Sequence, residues 1–339
     1  MSCENFYRRI KKLIKVLILL AVIIPGCRSN TSAVRAVAML PEVDSTLFDP
    51  QTFLCELSGR TVSESDARAI GQRYRPEERA RARIIIAREL RRIGLSPREH
   101  TYENGREVFY PAPGYYPGEG TARGVNLYAE LPATMPTNDW IVIGGHYDTV
   151  LGTPGADDNA SGVTAVLLVA TELLRVPERR ANLIFVFFDQ EEVGLVGSDM
   201  FAQRLLDQGR NIITFHNIDM VGWDGDHDRD IVLMHGVSLV PPLDDRYMRL
   251  YTQAAQFLRT ESGRDCRPGE ILRSDTNRGE HITFEMHGIQ AVTVIEEFAE
   301  EGDFNPYYHQ LGDSCDRLDY SYLRLCADLV VAVVTRQLQ

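Results

Sequence analysis

The sequence predicts an α/β fold, a mostly parallel central sheet with helices on both faces in three layers. Short apolar runs rich in β-branched and aromatic residues alternate with helical segments through the middle of the chain, the signature of strand–helix–strand units. The clearest run, Leu183 to Phe188, has no polar position, as expected for a strand buried on both faces. A chain of 339 residues with 44% hydrophobic and 25% charged content is ordinary globular material, which excludes disorder and fibrous repeats.

In chain order, the first 26 residues stand apart. All three lysines lie there, at Lys11, Lys12 and Lys15, beside Arg8 and Arg9. The uncharged run Val16 to Ile24 is far shorter than the ~20 residues of a membrane-spanning helix. A basic stretch, a short apolar core and small residues make the layout of a secretory signal peptide. Ile24-Pro25-Gly26-Cys27 resembles a bacterial lipobox, in which Cys27 would be lipidated and become the mature N-terminus. The expected organisation is a lipoprotein-type signal peptide over 1–26, a tether over 27–60 and one folded domain over 61–339. The protein is then exported, either lipid-anchored to the cell envelope or secreted or periplasmic, and it meets the membrane only through that anchor.

The pattern is helical from about 62 to 93, with Ser65 as N-cap, Pro76 at a first helical turn and Gly94 as the stop. Segments 97–110 and 122–131 carry β-formers, and the Pro- and Gly-rich stretch from Pro111 to Gly118 between them is loop. Trp140–Gly144, Leu183–Phe188, Ile212–Ile218, Ile231–Met234 and Ala291–Ile295 read as strands. Ser161–Leu174, Leu239–Leu258 and Tyr320–Leu338 read as helices. Beyond the leader the cysteines are Cys55, Cys266, Cys315 and Cys326, an even number that permits two disulfides in an oxidising compartment. The expected pairs are Cys55–Cys326 and Cys266–Cys315. No CxxC pair is present, which argues against a cysteine zinc site.

Charge narrows the class of partner. The net charge is −12, made of +4 in the first 26 residues and −16 in the rest. An acidic body excludes nucleic acid as the main partner, because phosphate binding needs a basic face.

The central strands run into metal-type ligands. The first ends in Gly145-His146-Tyr147-Asp148, the next connection is Pro154-Gly155-Ala156-Asp157-Asp158-Asn159-Ala160-Ser161-Gly162, and the second strand ends in Asp189-Gln190-Glu191-Glu192. Asp219-Met220-Val221-Gly222 follows the third, and a later loop reads Asn305-Pro306-Tyr307-Tyr308-His309. In open α/β sheets, sites form beyond the carboxyl ends of the strands. Several carboxylates gathered at one rim repel each other and are costly to bury without a countercharge. A divalent metal supplies it, and two histidines with three or four carboxylates suit zinc. GxSxG, HExxH and Walker A motifs are absent; His281 and Glu285 lack the second histidine of a zincin helix.

The order GGHYDT, PGADDNASG, FFDQEEVGLVGS, DMVG, NPYYH resembles the co-catalytic di-zinc aminopeptidase family over roughly residues 60–339. That family includes bacterial leucyl aminopeptidases, the glutamate carboxypeptidase group and glutaminyl cyclases. The resemblance implies a zinc-peptidase fold of the phosphorylase/hydrolase-like three-layer type, two Zn(2+) ions and a peptide or N-terminal aminoacyl substrate. It makes His146, Asp157, Glu192, Asp219 and His309 the metal ligands, with Asp157 bridging and its peptide bond to Asp158 cis. Asp148 would fix the His146 ring and Glu191 would be the general base. Glu280 stands where the family commonly has aspartate; with Tyr308 and Glu297 it is a candidate for substrate binding. Glu296, Glu300, Glu301 and Asp303 could add to an acidic rim for a substrate amine, and Arg273 or Arg278 could grip a carboxylate. The loops around Tyr115, Tyr116, Trp223 and Cys266 are expected to shape the pocket.

The expected function is therefore a zinc exopeptidase, an aminopeptidase cleaving the N-terminal peptide bond with metal-activated water. A glutaminyl cyclase with a single zinc is the enzymatic alternative. A metal-free binding module, as in some receptor domains of the family, is the non-enzymatic one; occupied ligand positions and Glu191 argue against it.

Overall fold

The computed structural model describes residues 48–59, 71–104, 122–236, 246–261, 267–298 and 302–339. Eight strands form one sheet: β1 (Arg98–Asn104), β2 (Ala122–Leu131), β3 (Asp139–His146), β4 (Asn182–Phe188), β5 (Asn211–Ile218), β6 (Ile231–His235), β7 (Ile271–Asp275) and β8 (Ala291–Ile295). Their order across the sheet is β1-β2-β4-β3-β5-β8-β6-β7. The centre, β4-β3-β5-β8, is parallel. β2 joins β4 antiparallel, β1 extends β2 antiparallel, β6 joins β8 antiparallel, and β7 runs parallel to β6. Every residue of β4 and β8 is buried, which is why these runs carry no polar alternation.

The chain leaves β3 for its neighbour β4, then passes back across β3 to reach β5. The helices of the two connections, α3 (Gly162–Leu173) and α4 (Val196–Asp207), thus fall on opposite faces of the sheet. With α3 lie α1 (Pro50–Leu57), α2 (Pro76–Arg92), α5 (Arg246–Glu261) and α7 (Tyr320–Gln337), which supply most of the larger core. α4 and α6 (His281–Met286) close the other face over Phe188, Phe201, Phe215 and Phe284, the last two stacked at 4.0 Å. The switch of direction at β3 leaves a crevice beyond the carboxyl ends of the parallel strands.

The predicted fold class is the one found. The differences are local. The last part of the expected tether is α1, capped by Asp49 and burying Phe53, Leu54, Cys55 and Leu57. α4, α6 and β7 lie outside the sequence reading. α4 starts from Leu195 in the left-handed region with no side-chain cap, so the usual start signal is missing. The fifth helix is described over Arg246–Glu261 and runs past the expected end at Leu258; the expected start at Leu239 lies outside the described residues. The leader with Cys27, the Ser65 cap, the 111–118 loop and Cys266 lie outside the described residues.

The disulfide is Cys55–Cys315, with Cα atoms 5.3 Å apart and 260 residues between them. This corrects both expected pairs, since spacing along a chain carries no information about distance in the fold. Cys326 is a free thiol on the buried face of α7, at 0% exposure.

Two predictions follow from these contacts. Cys315→Ser opens a cross-link that restrains most of the chain, and should lower stability by about 2–5 kcal/mol in chemical denaturation. His216 is buried with Nδ1 at 2.8 Å from the Tyr251 hydroxyl and Nε2 at 2.9 Å from Gln337 Oε1. Burial lowers its pKa from 6.5 to about 4. The unfolded chain therefore takes up a proton that the folded one refuses, so stability is full above 6.5 and declines as pH falls toward 4. In metal-free protein the fall of Tm over that window should be shallower in His216→Gln than in wild type.

Candidate active site

Three strand ends and a later loop deliver most of the site. β3 ends in His146, and Asp148 follows two residues later; both are buried. The Asp148 carboxylate accepts from the backbone N–H of Glu191 (3.0 Å, Oδ1) and Glu192 (3.3 Å, Oδ2). Its Oδ1 is 3.6 Å from His146 Nδ1, and its carbonyl oxygen is 3.2 Å from the same nitrogen. One residue thus holds the imidazole, by its carbonyl oxygen with the carboxylate nearby, and shapes the turn after β4 by its carboxylate. β5 supplies Asp219, and the loop before the final helix supplies His309, whose ring stacks on Tyr308 at 3.8 Å.

The fifth contribution comes from the turn Ala156–Ser161 between β3 and α3. Three alternate side chains sew this turn to the end of β5. Asp157 Oδ1 accepts from Gly222 N (2.9 Å). Asn159 donates to Ile218 O (3.0 Å) and accepts from Met220 N (3.2 Å). Ser161 Oγ accepts from Val221 N (3.0 Å). The packing is so close that a Cβ on Gly145 would sit 2.5 Å from Ile218 O. With its neighbours turned inward, Asp158 faces the crevice. Its Oδ1 is 3.2 Å from His146 Nε2 and its Oδ2 is 3.0 Å from His309 Nε2.

This corrects the expected role of Asp157. Its carboxylate is fully buried between Gly222 N and Asn305 Nδ2 (2.7 Å) and is outside the cluster. The carboxylate between the two histidines belongs to Asp158. The cis peptide joins Asp158 to Asn159, one bond later than expected.

Two sets of donors result: His146, Asp158 and Asp219, and Asp158, Glu192 and His309. His146 Nε2 is 3.4 Å from Asp219 Oδ1, and His309 Nε2 is 3.3 Å from Glu192 Oε2. A tetrahedral zinc with ligands at ~2.0–2.1 Å has donor–donor edges of about 3.3 Å. Asp219 Oδ1 is buried without a hydrogen-bond partner. Nitrogen and carboxylate donors at these spacings, with an orphaned oxygen among them, fit zinc.

The electrostatics agree with a site built around cations. Burial works against the charged form of Asp158, but hydrogen bonds to His146 and His309 hold it below the usual carboxylate range. Burial would lower His309; Asp158 and Glu192 outweigh it and raise it to about 10. Glu192 is pushed up to about 7 by burial and by Asp158. Glu191 is raised well above the ordinary value by desolvation and by Glu192, Glu280 and Asp219, with His146 opposing.

The crevice is lined by His146, Asp158, Glu191, Glu192, Asp219 and Tyr308, with an apolar wall of Met220, Met234, Ile295 and Phe298 and Arg278 at its edge. Glu280 is fully buried behind Gly279, its Oε2 held by Asn217 at 2.7 Å. Glu296 receives Trp223 N at 2.9 Å and Glu297 faces the loop after β5; neither lines the crevice, nor does Asp303 or Trp223. Glu300, Glu301, Tyr115 and Tyr116 lie outside the described residues.

Two buried residues absent from the sequence reading support the floor. Asp313 accepts from the backbone N–H of Asp157 (2.8 Å) and Asp158 (3.3 Å). Arg73 is fully buried and donates to the carbonyls of Tyr147 (2.6 Å), Pro154 (2.7 Å) and Gly155 (2.7 Å). An arginine in a polar loop carries no signal of this burial.

Residues 126–334 match Peptidase family M28. The chain belongs to this family. Aminopeptidase YwaD of Bacillus subtilis is 27% identical over 207 residues, 60% of this chain and 42% of that protein. The chain spans about half the length or less of the curated relatives it matches, 42%, 39% and 52% in three of them. Among solved structures, a zinc aminopeptidase from Bacillus subtilis superposes with TM-score 0.66 at 17% identity, covering 86% of this chain and 95% of that one. A Bacteroides thetaiotaomicron glutaminyl cyclase superposes with TM-score 0.64 at 18% identity, over 87% and 98% of the two chains. Both likenesses concern the fold.

In this M28 chain, Arg73→Ala should leave the buried carbonyls of Tyr147 and Pro154 without their donor, each worth about 1–3 kcal/mol, while Gly155 O keeps the Ala160 N–H at 3.1 Å. A fall of several degrees in Tm is expected, and Arg73→Lys should not restore it, because an ammonium cannot reproduce the guanidinium fork.

Proposed function

We propose that the protein is an exported zinc-dependent aminopeptidase with two metal positions. The observation that carries this reading is Asp158, whose two carboxylate oxygens each face one histidine, at 3.2 and 3.0 Å. His146 and Asp219 would complete one position, Glu192 and His309 the other. Zinc bound there supplies Lewis acidity, polarising the scissile carbonyl and allowing water to lose a proton near neutral pH.

The chain's own groups do the rest. Glu191 lines the crevice; it groups with His146 and Glu192 but is outside the two sets that share Asp158. Its raised pKa suits a base that takes the proton of the attacking water and returns it to the leaving amine. Asp148 keeps the His146 ring and the Glu191–Glu192 turn in register. Tyr308 is kept a neutral phenol by burial and by Asp158, Glu192 and Glu191, so its O–H can donate to the oxygen on which charge develops. Carboxylates around the crevice favour a substrate carrying a free α-amine, and the wall of Met220, Met234, Ile295 and Phe298 favours an apolar N-terminal side chain. Glu280 acts from behind the site, through Asn217 and its charge, and does not touch substrate. The basic leader, the short apolar run and Cys27 support export with lipid attachment.

The zinc-loaded protein should release the chromophore from aminoacyl-anilides and form no pyroglutamate from Gln-peptides; the reverse pattern would favour the cyclase reading. Glu191→Gln should lower kcat by ~10²–10⁴ while zinc content stays at two per chain by elemental analysis. Asp158→Ala should lose zinc from both positions, whereas Asp157→Asn should retain zinc and lose thermal stability. Equal zinc loss in the two aspartate variants would overturn the assignment of the bridge.

A further inference from the structure

The loop after β5 reads Asp224-Gly225-Asp226-His227-Asp228-Arg229-Asp230, four aspartates at alternate positions. Asp303, from the segment leading to His309, comes back to this loop. Its carboxylate accepts from Gly225 N, from Asp226 N (3.1 Å) and from the Trp223 indole N–H (3.3 Å). Oxygens of Asp224, Asp226 and Asp303 lie within 4.8 Å of one another.

Acidic surface loops are common, and the cluster alone would mean little. Two buried groups make it different. Asp224 is 7% exposed, and although its Oδ1 takes the Arg229 N–H (3.1 Å), its Oδ2 is buried with no partner. Glu297 is 9% exposed and, among the described residues, has no hydrogen bond or ion pair. Its carboxylate is surrounded by like charges: after burial, the groups that raise its pKa to about 7 are Asp228, Asp226, Asp230 and Asp303. The cations nearby are His227, which is exposed, and Arg229, whose guanidinium is 3.2 Å from Ser321 Oγ. His227 and Arg229 offset part of the charge on Asp224, but an Asp224 oxygen buried without a hydrogen bond and Glu297 beside four aspartates still crowd negative charge, which is unfavourable. A bound cation removes the conflict.

The geometry points to a further metal site here, a hard divalent cation, calcium, held by Asp224, Asp226 and Asp303 with Glu297, Asp228 and Asp230 around it. The donors of this set are all oxygens, which suits calcium at 2.3–2.6 Å with six to eight ligands; His227 forms a separate set with Asp224 and Asp319, and the oxygen-only set is the one assigned to calcium. The role is structural. The cation would tie the loop following Asp219 to the segment preceding His309, and so brace two edges of the catalytic crevice from outside it. This site is independent of the zinc pair, and its test does not use activity.

Trp223 gives the site its own reporter, because its indole contacts Asp303. The chain's other tryptophan, Trp140, is at the opposite end of β3. Zinc-loaded protein titrated with Tb³⁺ should show tryptophan-sensitised Tb³⁺ emission that millimolar Ca²⁺ displaces and millimolar Mg²⁺ displaces much less. Calcium at a hundredfold excess over its Kd should raise Tm by about 5 °C. Asp226→Asn and Glu297→Gln should each weaken Tb³⁺ binding at least tenfold with zinc content unchanged. Trp223→Phe should lose the emission while keeping the calcium-dependent rise in Tm. Absence of Ca²⁺-displaceable emission in the wild type, or emission undiminished in both carboxylate variants, would overturn the proposal.

Discussion

The site depends on the stitching of the Ala156–Ser161 turn to the end of β5. Asp157, Asn159 and Ser161 point into the protein and satisfy the backbone of residues 218–222. Asp158 is left as the carboxylate of that turn able to face the crevice. Two acids adjacent in sequence thus have opposite duties, one spent on the fold and one free for chemistry. Asp313 grips the amides of both, so the turn is fixed from the far side as well.

The same economy recurs around it. Asp148 is used twice, on the His146 ring and on the backbone that presents Glu191 and Glu192. Such double use raises the precision of the site, because the His146 ring and the Glu191–Glu192 turn cannot drift separately. It also concentrates negative charge. The shifts of Glu191, Glu192 and His309 all describe a set of groups arranged for cations that the chain's own side chains do not provide.

Much of this was legible in the sequence, for physical reasons. Strands buried on both faces leave uninterrupted apolar runs, so β3, β4, β5, β6 and β8 were readable. Polar residues at strand ends sit next to those runs, so His146, Asp148, Glu191, Glu192 and Asp219, which the fold gathers at one crevice with His309 from a later loop, stood out in the sequence. What failed needed three dimensions. Which of Asp157 and Asp158 faces outward depends on the local backbone, and both residues carry the same chemistry. Arg73 falls within a stretch that reads as helical and Asp313 in one with no assigned element, and neither position signals the burial that the fold gives it. Glu297 lay close to His309 in sequence, yet its side chain turns to another loop. The α4 helix lacked a capping residue to announce it, and cysteine spacing was compatible with several pairings.

Cys55 and Cys315 belong to opposite ends of the folded body, 260 residues apart. Cys55 sits on α1, ahead of every strand, and Cys315 follows the segment that carries His309. During synthesis the first thiol emerges long before its partner exists, and Cys326 follows its partner by a few residues as a competitor. The pair can form only once the chain through Cys315 has been made, so the cross-link joins the first helix to nearly the last segment of the domain, while Cys326 stays buried on α7.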